Sequence, residues 1–270
     1  IKLGVGAPFP DTPNEGVLMV GAELLPLSSP EFESGPPGVK ATEIARIVDR
    51  GIRESGMIDV EKLAIKKGEL VWMVFLDVYT INDAGNLIDA SALAAVAALK
   101  NSVLPKLDGD NVLFGQHTKE KLPLKKVPIT CTLYKINDKI LLDVNEKEEK
   151  VVDSRLTIAI SEKNQIHALQ KGGNKGLTID EIEIMIDIAQ EKTKELRKLL
   201  GWIYMKYTKY EKARLIGARA LQLAMGAPLL LKLTEEDLEK IRYDPVQISK
   251  MEFEKGILPI SIKRPMPEKY

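Results

Sequence analysis

Disulfides are excluded at the outset. Cys131 is the only cysteine in 270 residues, so no internal bridge can form, and a lone thiol fits a reducing interior. Net charge is also absent, with 39 basic and 39 acidic residues, so attraction to nucleic acid by overall charge is unavailable and any such binding needs a local patch. Histidine is scarce: His117 and His167 are isolated, and Cys131 lies in a strand pattern with no ligand spacing. Neither a metal site nor a cofactor is expected. The longest apolar run, Ala90 to Leu99, is broken by Ser91 and is too short to span a bilayer. No basic-then-apolar leader precedes Ile1, and no methionine either. A soluble intracellular protein is expected, with an upstream part missing.

What is present centres on Gly35 to Ser55. Two prolines and two glycines open the stretch, and a helical pattern starts by about Lys40. Ile44, Ile47, Val48 and Ile52 recur at three- and four-residue steps and mark its buried face. Arg46, Arg50 and Arg53, at i, i+4 and i+7, form a second stripe. Guanidiniums in a row suit a string of phosphates, because each can grip one through parallel hydrogen bonds. Glu43, Asp49 and Glu54 lie within reach, so a solvated face tied by local pairs explains the same spacing. Spacing alone leaves both readings open.

Along the rest of the chain, Val17 to Leu27 reads as a strand, and Leu63 to Ile81 as a short and a long strand around Lys67-Gly68. The long one is apolar on both sides, as a central strand covered on both faces would be. Leu87 to Leu99 is an alanine-rich core helix, and Asp108 to Lys126 an irregular loop. Two hairpins follow, Val127–Tyr134 with Lys139–Asp143 and Leu156–Ile160 with Gln165–Gln170. Lys171 to Gly176 is a flexible loop whose free amides could cradle phosphate, though it has no known phosphate-loop spacing. Thr178 and Glu181 form a capping box for a helix to about Leu200. Beyond Gly201 the pattern turns helical: Thr208 to Met225, Glu235 to Arg242, and a helix opened by Asp244-Pro245 and closed at Gly256. A short strand, Leu258 to Ile262, and an extended tail end the chain. This order of elements predicts an α+β domain and a second, small, mostly helical module.

Five stretches carry a resemblance: Pro8 to Gly16, Glu23-Leu-Leu-Pro-Leu27, Gly35-Pro-Pro37, Glu43 to Arg50 and Val74 to Tyr79. In them the chain resembles the RNase PH-like subunits of the archaeal exosome, most closely the non-catalytic one. The resemblance covers residues 1–201 and lacks the opening helix and first strands of that family. It implies an RNase PH-like, ribosomal protein S5 domain 2-like sheet with packed helices. It also implies a cytoplasmic hexameric ring, a trimer of heterodimers that degrades RNA from its 3′ end by phosphorolysis. The partners implied are the catalytic RNase PH-like subunit, single-stranded RNA and exosome cap proteins, with no membrane. In the catalytic subunit a loop of the form Asp-Ala-Gly-Ser/Thr-Arg holds the phosphate. Here it reads Asp83-Ala-Gly-Asn-Leu87, and an apolar side chain offers phosphate neither charge nor a donor fork. Asp143 stands where a catalytic carboxylate would be, but Asp143 and Glu149 are expected on a solvated hairpin edge. The expectation is therefore a subunit without catalytic residues that binds RNA. The resemblance assigns Arg46 and Arg50 to RNA, and Arg53 extends their stripe.

Residues 206–270 resemble another family, archaeal RNA polymerase subunit K, the counterpart of bacterial omega. Thr208 to Ala227, Asp244-Pro-Val-Gln-Ile248 and Leu258 to Pro267 carry the match. It implies a non-catalytic module that latches the largest polymerase subunit, with Arg214 and Arg219 as contact candidates. Helix surface charge balanced by Glu211 is the competing reading of those arginines. A fusion would tether RNA decay to transcription. The alternative is a polymerase subunit in which the first two hundred residues are passengers, and their intact core pattern speaks against it.

Overall fold

A computed structural model describes residues 1–200, 209–231, 241–254, 257, 258 and 260. Its contacts cluster into two compact units, Ile1–Ile203 and Tyr204–Tyr270.

The first unit is built in layers. One sheet joins β1 (Lys2–Gly6), β2 (Val17–Glu23), β3 (Ala64–Lys66) and β4 (Leu70–Tyr79). β4 is central, antiparallel to β1 and β3 and parallel to β2. A parallel neighbour demands a crossover, supplied by α1 (Val39–Ser55). The other large sheet has the order β10-β9-β7-β8, with β7 (Ile129–Ile136), β8 (Lys139–Leu142), β9 (Ser154–Ile160) and β10 (Ile166–Gly173) all antiparallel. α1 and α2 (Leu87–Asn101) lie between the sheets, and α4 (Ile179–Leu200) covers the far face of the second.

Each layer follows from local chemistry. α1 buries Ile44, Ile47, Val48 and Ile52, each worth roughly 1.5–3 kcal/mol. It stops at Gly56, whose φ of 63° is the left-handed conformation that closes helices. Midway, a Cβ at Gly51 would stand 3.3 Å from Thr130 Oγ1, so glycine brings the helix axis close to the second sheet. α2 is apolar around its girth because it faces both sheets: Ala92, Ala95, Val96 and Leu99 are all buried. On α4, Thr178 and Glu181 form the expected reciprocal cap, Thr178 N–H donating to Glu181 Oε2 (2.9 Å) and Glu181 N–H to Thr178 Oγ1 (3.3 Å).

Four expectations change. Val103–Asp108 and Asn111–Lys121 are strands, β5 and β6, of a hairpin turning at Gly109-Asp110, where a loop from Asp108 to Lys126 was expected. Its register is interrupted and it is only partly buried, so it lacks a clean alternation of apolar and polar residues. β2 ends at Glu23, short of Leu27. β4 buries Trp72, Val74 and Leu76, but on its other side only Val71 is buried, Met73 and Phe75 are half-buried and Asp77 is exposed. Lastly, β10 continues through Gly173 into the expected loop. Side chains at Gly172 and Gly173 would strike Arg155 and the Asp153 backbone, so these glycines serve close packing.

The second unit packs α5 (Lys209–Ala224) against α6 (Pro245–Glu254), with Leu215, Ile216, Ala220, Leu231 and Ile248 buried. Asp244 Oδ1 accepts from Val246 N–H (2.9 Å) and Pro245 occupies the first helical position, the expected opening. The start of the helix expected from Thr208, the helix 235–242, the closure at Gly256 and the terminal strand and tail fall wholly or mainly outside the described residues.

Candidate nucleic-acid interface

α1 presents its arginines on the side away from its buried isoleucines, and the tertiary contacts separate the two readings of their spacing. Arg53 is engaged: its Nε and Nη2 donate to Asp49 at 3.1 and 2.7 Å, and Nη2 also donates to the Leu18 carbonyl at 3.1 Å. The Asp49 hydrogen bonds raise the Arg53 pKa further. Glu43 is engaged too, accepting from Arg155 Nη2 on β9. Arg46 and Arg50, one turn apart and exposed, make no hydrogen bond or ion pair among the described residues. Arg50 borders a shallow recess floored by Thr130, Thr157 and Ala159, with Gln170 at its rim. The stripe of three thus resolves into two guanidiniums open to a ligand and one held by its neighbours.

The loop Asp83–Leu87 sits at the N-terminus of α2. Gly85 has φ 102° and lies against the Val144 carbonyl, where a Cβ would overlap it. Asn86 is left-handed (φ 50°) and buried, held by its own side chain. Its Nδ2 donates to Asp89 Oδ2 (3.2 Å) and Asp143 Oδ1 (3.1 Å), and its Oδ1 accepts from Tyr134 Oη (3.0 Å). The backbone N–H of Asn86 donates to Glu149 Oε1 at 2.8 Å. A carboxylate therefore occupies the position where a helix N-terminus receives an anion. Leu87 is buried. Asp83 is almost wholly covered, with Lys40 Nζ at 3.3 Å, and that ammonium stands 3.8 Å from Glu149.

Asp89 anchors this network to β7, accepting from Thr132 N–H (2.8 Å) and Thr132 Oγ1 (2.7 Å). Enclosure of its carboxyl raises its pKa to about 6 against the pull of those donors, with the Asp143 charge adding to the rise. Burial likewise pushes the Tyr134 hydroxyl up, and the Cys131 thiol up to about 12, where it is inert.

Asp143 is exposed and bonded to Asn86, as a hairpin edge allows. Glu149 departs from that expectation. It lies on a one-turn helix, α3 (Glu146–Glu149), and is half-buried against α2. Asn145 and Glu148 form the capping box that turns the chain there, with Asn145 Oδ1 accepting from Lys147 and Glu148 N–H and Glu148 Oε2 accepting from Asn145 N–H. That Asn-x-x-Glu spacing was the one sequence signal for it. Arg155 carried no local signal, since Glu43 lies 112 residues away, and of the partners of Asp89 only Asn86 is local, the Thr132 donors lying 43 residues on.

In the second unit Arg214 is exposed on α5, whereas Arg219 is buried. Arg219 Nε and Nη2 donate to Glu252 at 2.6 and 3.1 Å, and Nη2 also to the Pro228 carbonyl at 2.9 Å. Burial works to raise the Glu252 pKa, but the bonds from Arg219 and Leu230 N–H outweigh it and hold the carboxyl below its ordinary value. Arg219 thus ties α5 to α6 inside the unit, and its donors face inward. Among the described residues no cluster suited to a metal is found, and no helix is long and apolar enough to cross a membrane.

Residues 1–105 match the model of the 3′ exoribonuclease family, domain 1, and residues 126–192 that of its domain 2. Residues 206–260 match RNA polymerase Rpb6. The exosome complex component Rrp42 of Thermococcus gammatolerans is 47% identical over 205 residues, 74% of either chain. That of Methanocella arvoryzae is 47% identical over 203 residues, 75% of this chain and 76% of its own. Among solved structures, the Archaeoglobus fulgidus exosome with RNA bound to the active site aligns with a TM-score of 0.66 and 41% identity, over 73% of this chain and 76% of that one. An archaeal exosome core aligns with a TM-score of 0.65 and 37% identity, over 74% of each.

Proposed function

The chain belongs to the 3′ exoribonuclease family, beside the Rrp42 exosome components, and from that premise we propose that it is a ring subunit holding RNA for a catalytic RNase PH-like partner. The observation that carries this reading is the pair of open guanidiniums, Arg46 and Arg50, one turn apart on α1. Each can donate two parallel hydrogen bonds to a backbone phosphate, which positions a strand without reading its sequence. Arg53 serves the pair by occupying Asp49.

Phosphorolysis belongs to the partner. An attacking phosphate dianion needs donors and positive charge. In this chain the Asn86 N–H is given to Glu149, Leu87 is apolar, and the nearby Lys40 ammonium is engaged by Asp83 and Glu149. The ring is read as a cytoplasmic hexamer in which this chain alternates with the catalytic subunit beneath cap proteins. Residues 206–270 are read as a separate polymerase-type module, supported by the Rpb6 match, with exposed Arg214 as its contact toward the largest subunit.

The test follows phosphate-dependent release of nucleoside diphosphates from a short labelled RNA. Activity is expected from the mixture with a catalytic partner and from neither this chain alone nor buffer. Arg46→Ala/Arg50→Ala should raise KM roughly ten- to hundredfold with little change in kcat, as lost uniform binding does. Activity from the chain alone overturns the non-catalytic reading, and an unchanged KM in the double variant overturns the RNA-holding one. Co-purification of the largest polymerase subunit through residues 206–270 tests the second module.

A further inference from the structure

On α1, Arg46 has an acid within pairing reach on either side, Glu43 three residues before it and Asp49 three residues after. It pairs with neither. Asp49 is taken by Arg53 through two hydrogen bonds, 3.1 and 2.7 Å long. Glu43 is taken from outside the helix: its Oε1 accepts from Nη2 of Arg155 on β9. Arg155 can reach it because Gly172, opposite it on β10, has no side chain; a Cβ there would stand 2.8 Å from Arg155 Nε and 2.9 Å from Cζ. The pair is sheltered, with the Arg155 and Glu43 side chains 23% and 33% exposed, so salt screens it less than an open surface pair.

We propose that Arg155 is a positioning residue for RNA: by holding Glu43 it keeps that carboxylate off Arg46 and leaves Arg46 open to a backbone phosphate. The proposal rests on the RNA-holding reading above. An i,i+3 carboxylate is a weak competitor, but it is always present, whereas the phosphate must be captured from solution. Releasing Glu43 therefore subtracts from RNA affinity without touching either RNA-facing arginine.

The experiment measures single-stranded RNA affinity of the ring reconstituted with its catalytic partner, between about 50 and 200 mM salt. Ring assembly is followed by light scattering. Arg155→Ala should weaken binding about two- to fivefold, the range an exposed local ion pair commands, and flatten the salt slope. Glu43→Gln added to it should restore the parental affinity, while the same change in the parent shifts affinity far less. Arg155→Lys, which can still hold Glu43, should bind RNA as the parent does. Equal strengthening by Glu43→Gln in both backgrounds would mean that only summed charge matters, which overturns the proposal. So would an Arg155→Ala ring with parental affinity, or an Arg155→Lys ring that assembles but binds as poorly as the alanine variant. Arg46→Ala/Arg50→Ala is run alongside. If it weakens binding while Arg155→Ala does not, the proposal falls and the RNA-holding reading stands; if it has no effect, that reading falls first.

Discussion

Asp89→Asn should stabilise the first unit at neutral pH, and by an amount that depends on pH in a defined way. The carboxyl is enclosed between α2 and β7, and its pKa stands at about 6 against an ordinary 3.8. A group raised in the folded state contributes stability that is complete below the ordinary carboxylate range and is lost as pH rises through about 6. That shift corresponds to at most about 3 kcal/mol between pH 4 and pH 7, less whatever water still reaches the residue. The amide removes the charge and can keep the bonds. Its oxygen takes the place of Asp89 Oδ2, which accepts from Thr132 N–H and Asn86 Nδ2, and its NH2 faces Thr132 Oγ1. That hydroxyl then turns its hydrogen toward Thr157 Oγ1, 3.0 Å away. Urea unfolding of parent and variant from pH 4 to 7.5, with a carbon-13 titration of the Asp89 carboxyl, measures both sides of the linkage. The variant's advantage should grow with pH and level off above about 7. A difference that stays flat across this range, or a carboxyl titrating near 4, refutes the reasoning.

Further outcomes follow from the same contacts. Glu252→Ala strands Arg219 without its carboxylate inside the second unit, at a cost of about 3–5 kcal/mol; amide exchange should quicken in α5 and α6 and stay unchanged in α1 and α2. Leu87→Arg alone should not create a phosphate site, because Glu149 stands ready to pair with the new guanidinium; phosphorus NMR should show phosphate binding only when Glu149→Ala is added. Gly85→Ala combines a strained φ of 102° with overlap onto the Val144 carbonyl, so it should lower the melting temperature by several degrees, and a neutral result would refute the described loop.

Much of the fold was legible from short-range pattern. The apolar face of α1, the alanine-rich α2, the hairpins β7–β8 and β9–β10 and the Thr178–Glu181 capping box are each written within a few consecutive residues, where periodicity and cap chemistry operate. The β5–β6 hairpin was not, because a partly buried pair with an interrupted register has no clean alternation to read. The second face of β4 misled for a related reason: Val71 there is buried, but Met73 and Phe75 are only half-covered within this chain.

At the candidate site the division is sharper. The residues alone determined that three arginines share one side of α1 and that no disulfide can form within these 270 residues, and the resemblance added that Leu87 stands where a phosphate-binding arginine is expected. Only the tertiary structure decided which arginines are open. Arg53 folds back onto Asp49 and Leu18, Glu43 is claimed by Arg155 from another sheet, and Arg219 turns inward onto Glu252. The physical reason is that a charged side chain is defined by its partners. Several of those partners lie tens of residues away along the chain, where no periodicity carries the information.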